Sequence, residues 1–289
     1  MTPSSSERRK RFERAAKAAH SLTPLKVHAL RLLSESRFLS TPQVAGIMGI
    51  SDHAARGHLR DLYDMGLTDV VAVPGVAVGS KALIAAKVHY PTKLGLSELD
   101  SLGSLPEGAK AQGYSPRQFS FLAHELAVRD MLVALSRYAR ENEGHSVARW
   151  DCSGNLQASA VHPDAVFWYG IDGKRIAGIL EADMGTERGS SGDRFDRWHQ
   201  KIQAYEALLG SEEELRGLTG SPRARLVVTV PDEARAAWIA SRLEDTPVAR
   251  SAWIGVREEL AKRSVYDEVW QRPGGAYQAF CPLPEEGIY

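Results

Sequence analysis

Residues 162–183, His-Pro-Asp-Ala-Val-Phe-Trp-Tyr-Gly-Ile-Asp-Gly-Lys-Arg-Ile-Ala-Gly-Ile-Leu-Glu-Ala-Asp, can set three carboxylates on one face of a β-hairpin. Two apolar runs flank Asp172-Gly173, a pair suited to a two-residue type I′ turn because both turn positions need φ above zero. With that turn, Ile171 pairs with Lys174, Asp164 lies opposite Glu181, and His162 lies opposite Asp183. Side chains alternate between faces along a strand, so Glu181 and Asp183 share a face and Asp164 joins them across the ladder. Like charges set opposite each other destabilise a sheet. A chain that builds such a cluster either raises a carboxyl pKa or holds a divalent cation, which makes Asp164, Glu181 and Asp183 candidate metal ligands.

The elements that must position this hairpin follow from hydrophobic spacing. Residues 119–141 form a long amphipathic helix, with Phe119, Leu122, Leu126, Met131, Leu132 and Leu135 among its apolar positions and His124 and Glu125 near its start. A short strand over 147–150 precedes the hairpin. A helix over 194–210 carries Phe195, Trp198, Ile202, Tyr205 and Leu209 on one stripe, with Lys201 beside it. A strand over 225–230, a helix over 232–243 and a strand over 251–256 come next. A helical segment running to about Trp270 and an irregular tail over 271–289 complete the chain. Helix, three strands, helix, strand, helix and strand predict an α/β sandwich around a mixed sheet.

The front of the chain has a different character. Residues 7–19 are a basic, helix-prone lead-in whose Arg8, Arg9, Lys10 and Arg11 either contact phosphates or stay solvated. Helical spacing covers 24–36. Ser40-Thr41-Pro42 starts a second helix, Gly49-Ile50-Ser51 makes a tight turn, and Ser51 caps a third helix over 52–65. Ala55, Leu59, Leu62 and Tyr63 point inward, and Gly66 closes that helix. Two helices joined by a glycine turn are a helix-turn-helix, and strands over 67–73 and 80–90 around Pro74-Gly75 and Gly79 would be its wing. His53, Arg56, His58 and Arg60 on the third helix are then the residues available to phosphates or base edges. Protein contact is the other use open to such a module. The predicted organisation is a lead-in over 1–22, a winged helix over 23–102, a linker over 103–117, an α/β domain over 118–270 and a tail over 271–289.

Composition sets outer limits. A chain of 289 residues with 43% hydrophobic and 25% charged residues reads as soluble and globular. Its zero net charge conceals an asymmetry, since residues before 118 carry 16 Lys/Arg against 10 Asp/Glu. A basic front suits an anionic partner, and an acidic back suits a cation. The absence of a signal-peptide core and of any long apolar run predicts a cytoplasmic protein with no membrane partner. Cys152 and Cys281 are the only cysteines, and no Cys/His spacing fits zinc. Gly185, Gly189 and Gly192 lack the lysine of a phosphate-binding loop.

Pro163-Asp164, Glu181-Ala182-Asp183 and a following helix with Lys201 resemble the PD-(D/E)XK nuclease-like fold, an αβββαβ mixed-sheet domain. More narrowly, the chain resembles the replication-relaxation family of plasmids and integrative elements over residues 25–230. That resemblance is carried by the winged helix, Pro91-Thr92-Lys93-Leu94-Gly95, and His124-Glu125-Leu126-Ala127-Val128-Arg129-Asp130. Leu180-Glu181-Ala182-Asp183-Met184-Gly185-Thr186-Glu187 and Lys201 with Tyr205 complete it.

The resemblance implies that Asp164 and Glu181 hold Mg²⁺ or Mn²⁺ for phosphodiester chemistry, with a lysine to stabilise developing charge. The sequence departs from the nuclease pattern where Asp183 replaces the lysine expected two residues after Glu181. Lys201 is the replacement candidate, and Glu125 a further carboxylate. The implied function is that of a double-stranded-DNA-binding protein of a plasmid or integrative element, acting in replication, relaxation, transfer or their control. It would be nucleoid- or plasmid-associated in a bacterial cytoplasm, with other mobile-element replication or transfer proteins and a second copy of itself as candidate partners.

Two alternatives stay open: a Mg²⁺-dependent endonuclease or nickase targeted by its winged helix, and a transcription regulator whose back domain dimerises or binds a partner. The missing lysine favours binding over cutting. Plainer roles are also available, with Asp164 capping a strand, Asp183 in a turn, Lys201 as a surface lysine, and His162 and His199 as packing residues.

Overall fold

Local capping chemistry determines where the helices of the first unit begin. A computed structural model of the chain describes residues 21–73, 86–106, 122–152, 156, 158, 161–185, 193–263 and 267–280. It divides into two compact units, Met1–Ser120 and Phe121–Tyr289. In the first, α1 (Pro24–Ser36) opens with proline at its first position, where no backbone N–H is needed. A two-residue strand β1 (Leu39–Ser40) leads into α2 (Thr41–Met48). There the Ser40 hydroxyl accepts from Gln43 N at 3.4 Å while the Gln43 side chain accepts from Ser40 N at 2.9 Å, a reciprocal capping box. Gly49, at φ 68°, turns the chain out of α2. Ser51 caps α3 (Asp52–Asp64), accepting from Ala54 N at 3.2 Å.

Ala55, Leu59 and Leu62 of α3 bury against Ala29, Leu30, Leu33 and Val44, so the predicted inward positions form the core of this unit. β2 (Thr68–Val73) and β3 (Ala86–Pro91) pair antiparallel and β1 adds to the far edge of β3, giving the order β1-β3-β2. α4 (Lys93–Ser101) is capped by the Thr92 hydroxyl, which accepts from Gly95 N at 3.1 Å and donates to Gly66 O at 2.7 Å. Three helices packed on a small antiparallel sheet make the winged-helix arrangement. The basic lead-in, the wing tip at Pro74-Gly75 and Gly79, most of the linker, and Phe119 lie outside the described residues.

The second unit runs α5 (Leu122–Glu141), β4 (His145–Asp151), β5 (Ala165–Ile171), β6 (Lys174–Ala182), α6 (Asp193–Gly210), α7 (Glu212–Thr219), β7 (Arg225–Val230) and α8 (Glu233–Leu243). It continues through a 3-10 turn to β8 (Ala252–Val256), α9 (Arg257–Lys262), β9 (Trp270–Gln271) and β10 (Tyr277–Gln278). The strands form one mixed sheet in the order β10-β9-β8-β7-β6-β5-β4, parallel only at β6–β7 and β7–β8. Val128, Met131, Leu135 and Tyr138 of α5 cover one face with Phe167, Leu180 and Trp270. Trp198, Ile202 and Tyr205 of α6 and Ile239 of α8 cover the other with Ile179, Val228 and Ile254. Both faces of the central strands β5–β8 are therefore largely covered, as the parallel pairs require.

The tail departs from expectation. The helix expected to reach Trp270 ends at Lys262, and β9 and β10 extend the sheet instead of an irregular chain. Phe280 is fully buried, its ring 5.0 Å from that of Trp270 and 6.4 Å from that of Phe167. Two-residue strands are too short to show a period, so their sheet role depends on their partners, β8 for β9 and β9 for β10.

Glycine positions on α3 and α4 yield opposite predictions. A Cβ at Gly95 would stand 2.1 Å from the Leu67 carbonyl oxygen, whereas one at Gly57 meets nothing within 4 Å. In urea unfolding of the full chain, Gly95→Ala should cost about 1–3 kcal/mol, the usual range for overpacking. Gly57→Ala, in an exposed helix interior, should instead gain about 0.5–1 kcal/mol.

Candidate functional site

The Asp172-Gly173 turn positions the site by setting register. Both residues take positive φ, 47° and 79°, and the pairing runs from Ile171↔Lys174 to Ala165↔Leu180. Just beyond the last pair, Asp164 N donates to Leu180 O at 3.0 Å, and Asp164 Oδ2 accepts from Ala182 N at 2.8 Å. Asp164 thus clasps the backbone on both sides of Glu181, with its main-chain N–H on Leu180 and its side chain on Ala182.

Glu181 is 2% exposed. Its Oε1 accepts from the Tyr205 hydroxyl and its Oε2 from Lys201 Nζ. Lys201 and Tyr205 are one turn apart on α6, so a single helix face delivers both donors to one carboxylate. Burial pushes Glu181 up from 4.5 to about 7; the Lys201 charge opposes this and the Asp164 charge adds to it. Burial, reinforced by Glu181, lifts Tyr205 well above the ordinary phenol value. From α5, His124 Nε2 stands 3.1 Å from Asp164 Oδ2. That hydrogen bond raises the His124 pKa against the opposing effect of burial, and the charges of Asp164, Glu125 and Glu181 raise it further. Asp164, Glu181, His124, Lys201 and Tyr205 form one connected polar centre at the carboxyl end of β6.

Asp183 does not join it. Arg235 Nε donates to Asp183 Oδ1 at 3.0 Å and Arg235 Nη2 to Oδ2 at 2.7 Å, a bidentate pair with both side chains buried. Trp198 Nε1 at 3.1 Å and Gly185 N at 2.7 Å complete the carboxylate's bonds. Burial alone would raise Asp183, but these donors, led by Arg235, hold it below the ordinary carboxylate value. The backbone of Asp183 is tied as well: its N–H donates to Thr229 O at 2.8 Å and its carbonyl accepts from Arg257 Nη1 at 2.8 Å. The expected third ligand is a structural anchor joining β6 to β7, α6 and α8. Hairpin geometry placed it on the right face but could not reveal an arginine 52 residues away.

Glu125 is likewise turned to another partner, Arg129 of the same helix, whose Nη1 donates to Glu125 Oε2 at 2.8 Å. Divalent magnesium takes oxygen ligands in strict octahedral geometry. Both Glu181 oxygens and Asp164 Oδ2 accept protein hydrogen bonds, and among the described residues no three of His, Cys, Asp and Glu come together to hold a metal ion. The residues as arranged do not fit a divalent-metal centre.

On α3 of the first unit, His53 and Arg56 are exposed. The Arg56 side chain is 67% accessible, with Asp52 at 3.9 Å. His58 is half-buried, and Arg60 bonds Asp64 at 3.0 Å with its guanidinium 5.6 Å from the Tyr63 ring. Arg8, Arg9, Lys10 and Arg11 lie outside the described residues. Sequence reasoning did not assign His124 or Tyr205 to the site. For Tyr205 the four-residue spacing from Lys201 is a usable signal; for His124, 40 residues from Asp164, the spacing offers none.

The replication-relaxation family model matches residues 30–221 of the chain. No curated protein and no solved structure matches it. The matched span includes α3, the hairpin and all five residues of the polar centre, and it ends before Arg235.

Two measurements test this geometry. Because the Glu181 pKa is raised on folding, the group favours the folded state most below 4.5, and that contribution is lost as pH rises through about 7. Glu181→Gln has no proton to lose, so its stability relative to wild type should rise between those pH values in urea titrations, and a flat difference would contradict the shift. Asp183→Ala strands a buried arginine and should cost about 3–5 kcal/mol, equally with EDTA or with Mg²⁺ present.

Proposed function

The chain belongs to the replication-relaxation family, and from that premise we propose that it binds double-stranded DNA of a plasmid or integrative mobile element and acts in its replication, its relaxation and transfer, or their control. The observation that carries this reading is the outward face of α3. Its first turns leave His53 and Arg56 exposed while Ala55, Leu59 and Leu62 hold the helix against the core. In a helix-turn-helix that second helix is the one that enters the major groove, and its N-terminal residues reach base edges and phosphates. The excess of Lys/Arg before residue 118, 16 against 10 acidic residues, supports an anionic partner for this unit.

The same reading gives the back unit an organising role. Hydrolysis by a metal-dependent nuclease would need the oxygens of Asp164 and Glu181 for the ion. Here they are engaged by His124, Lys201, Tyr205 and the Ala182 amide, which supports binding over cutting. No helix among the described residues is long and apolar enough to cross a membrane. Other mobile-element replication or transfer proteins, and a second copy of the chain, are partners compatible with this role.

Fluorescence anisotropy with a labelled duplex tests the proposal. Affinity should fall steeply between about 50 and 200 mM salt, because the counterions that phosphate contacts release gain less entropy as bulk salt rises. Arg56→Ala should weaken binding and flatten the log–log salt slope by about 1 if that guanidinium holds one phosphate. Binding that ignores salt, or is untouched by Arg56→Ala together with His53→Ala, would reject α3 as the DNA-facing helix.

A further inference from the structure

A buried carboxylate beside a second carboxylate either keeps its proton or needs positive charge close by, from a bound ion or from the chain itself. In the back unit the chain supplies it. Lys201 Nζ bonds Glu181 Oε2 directly, while its position on α6 also sets the ammonium 5.7 Å from the centroid of the Trp198 ring. Tyr205, a turn further along the same helix, donates to the other Glu181 oxygen, so α6 alone satisfies both. On the opposite side, Asp164 is held by the Ala182 amide and stands 3.1 Å from His124 of α5. Each donor comes from an element fixed by packing, since Tyr205 and Trp198 are core residues of the α6 face.

We propose that Lys201 is the resident cation of the Asp164–Glu181 centre, which makes the back unit's site a metal-independent charge network. A lysine ammonium is a compact point charge with three donors, able to take a small cation's place beside one carboxylate. A divalent ion entering here must expel that ammonium and also displace the Tyr205 hydroxyl, while losing much of its own hydration, which Mg²⁺ does reluctantly. The network joins α5, the β5–β6 hairpin and α6, so its role is to hold those three elements in place. The network lies within the back unit alone, and its charge balance is the same whether or not α3 binds DNA.

Mn²⁺ binding by the intact chain, followed by loss of the free-ion electron paramagnetic resonance signal, tests it. Wild type should show no saturable site, and its thermal midpoint should be the same in EDTA and in Mg²⁺. Lys201→Met removes the charge but keeps the stem. It should gain a saturable Mn²⁺ site and a Mn²⁺-dependent rise in thermal midpoint, both abolished by adding Glu181→Gln. Lys201→Arg keeps a cation and should remain without metal binding. A saturable wild-type site that disappears in Asp164→Asn would overturn the proposal. A folded Lys201→Met chain, verified by circular dichroism, that gains no Mn²⁺ site would overturn it as well.

Discussion

Burying Glu181 at the carboxyl end of β6 obliges the fold to bring a cation and a hydroxyl donor to that point, and much of the second unit is arranged around this obligation. An uncompensated carboxylate there would lose its hydration with no return. Lys201 and Tyr205 satisfy it from one face of α6, which sets the rotation of that helix about its own axis. The same rotation turns Trp198 and Ile202 onto the sheet beside Ile179 and Val228. Polar satisfaction and apolar packing thus select one orientation of α6, and the agreement of the two is what makes the placement specific.

A second charge pair fixes the other direction. Asp183 receives Arg235 from α8 and Trp198 from α6 on its side chain, and Thr229 and Arg257 engage its backbone. Two residues apart on the chain, Glu181 and Asp183 have opposite electrostatic outcomes. Burial dominates at Glu181 and lifts its pKa to about 7, whereas a bidentate guanidinium prevails at Asp183 and depresses it. Both are carboxylates aimed at the same face; the partners delivered by later helices differ. This is why three carboxylates that share a face do not make a three-ligand site.

The first unit depends on short-range chemistry to a greater degree. Ser40, Ser51 and Thr92 each cap the helix that follows, and Gly49 takes the left-handed conformation that ends α2. These signals span three or four residues, so helix starts at 24, 41 and 52 are legible without knowing the fold. The hairpin is legible for the same reason: Asp172-Gly173 determines its own turn, and the turn determines every pair back to Ala165↔Leu180. Less legible are β9 and β10, which have two residues each and acquire strand geometry only by pairing, β9 with β8 and β10 with β9.

What the amino-acid order settled by itself, then, is whatever a few consecutive residues can decide: caps, turns, hairpin register, the amphipathic stripes of α5 and α6, and the placing of Asp164 and Glu181 side by side. The tertiary structure decided what those carboxylates do. His124 reaches Asp164 across 40 residues, and Arg235 reaches Asp183 across 52. A local pattern records the conformation of a segment but not the address of its distant neighbours. Charge compensation depends on those neighbours, because Coulomb attraction and desolvation act through space rather than along the chain. The hairpin could therefore announce a cluster of charge, and only the packing of α5, α6 and α8 against it could say which charge met which partner.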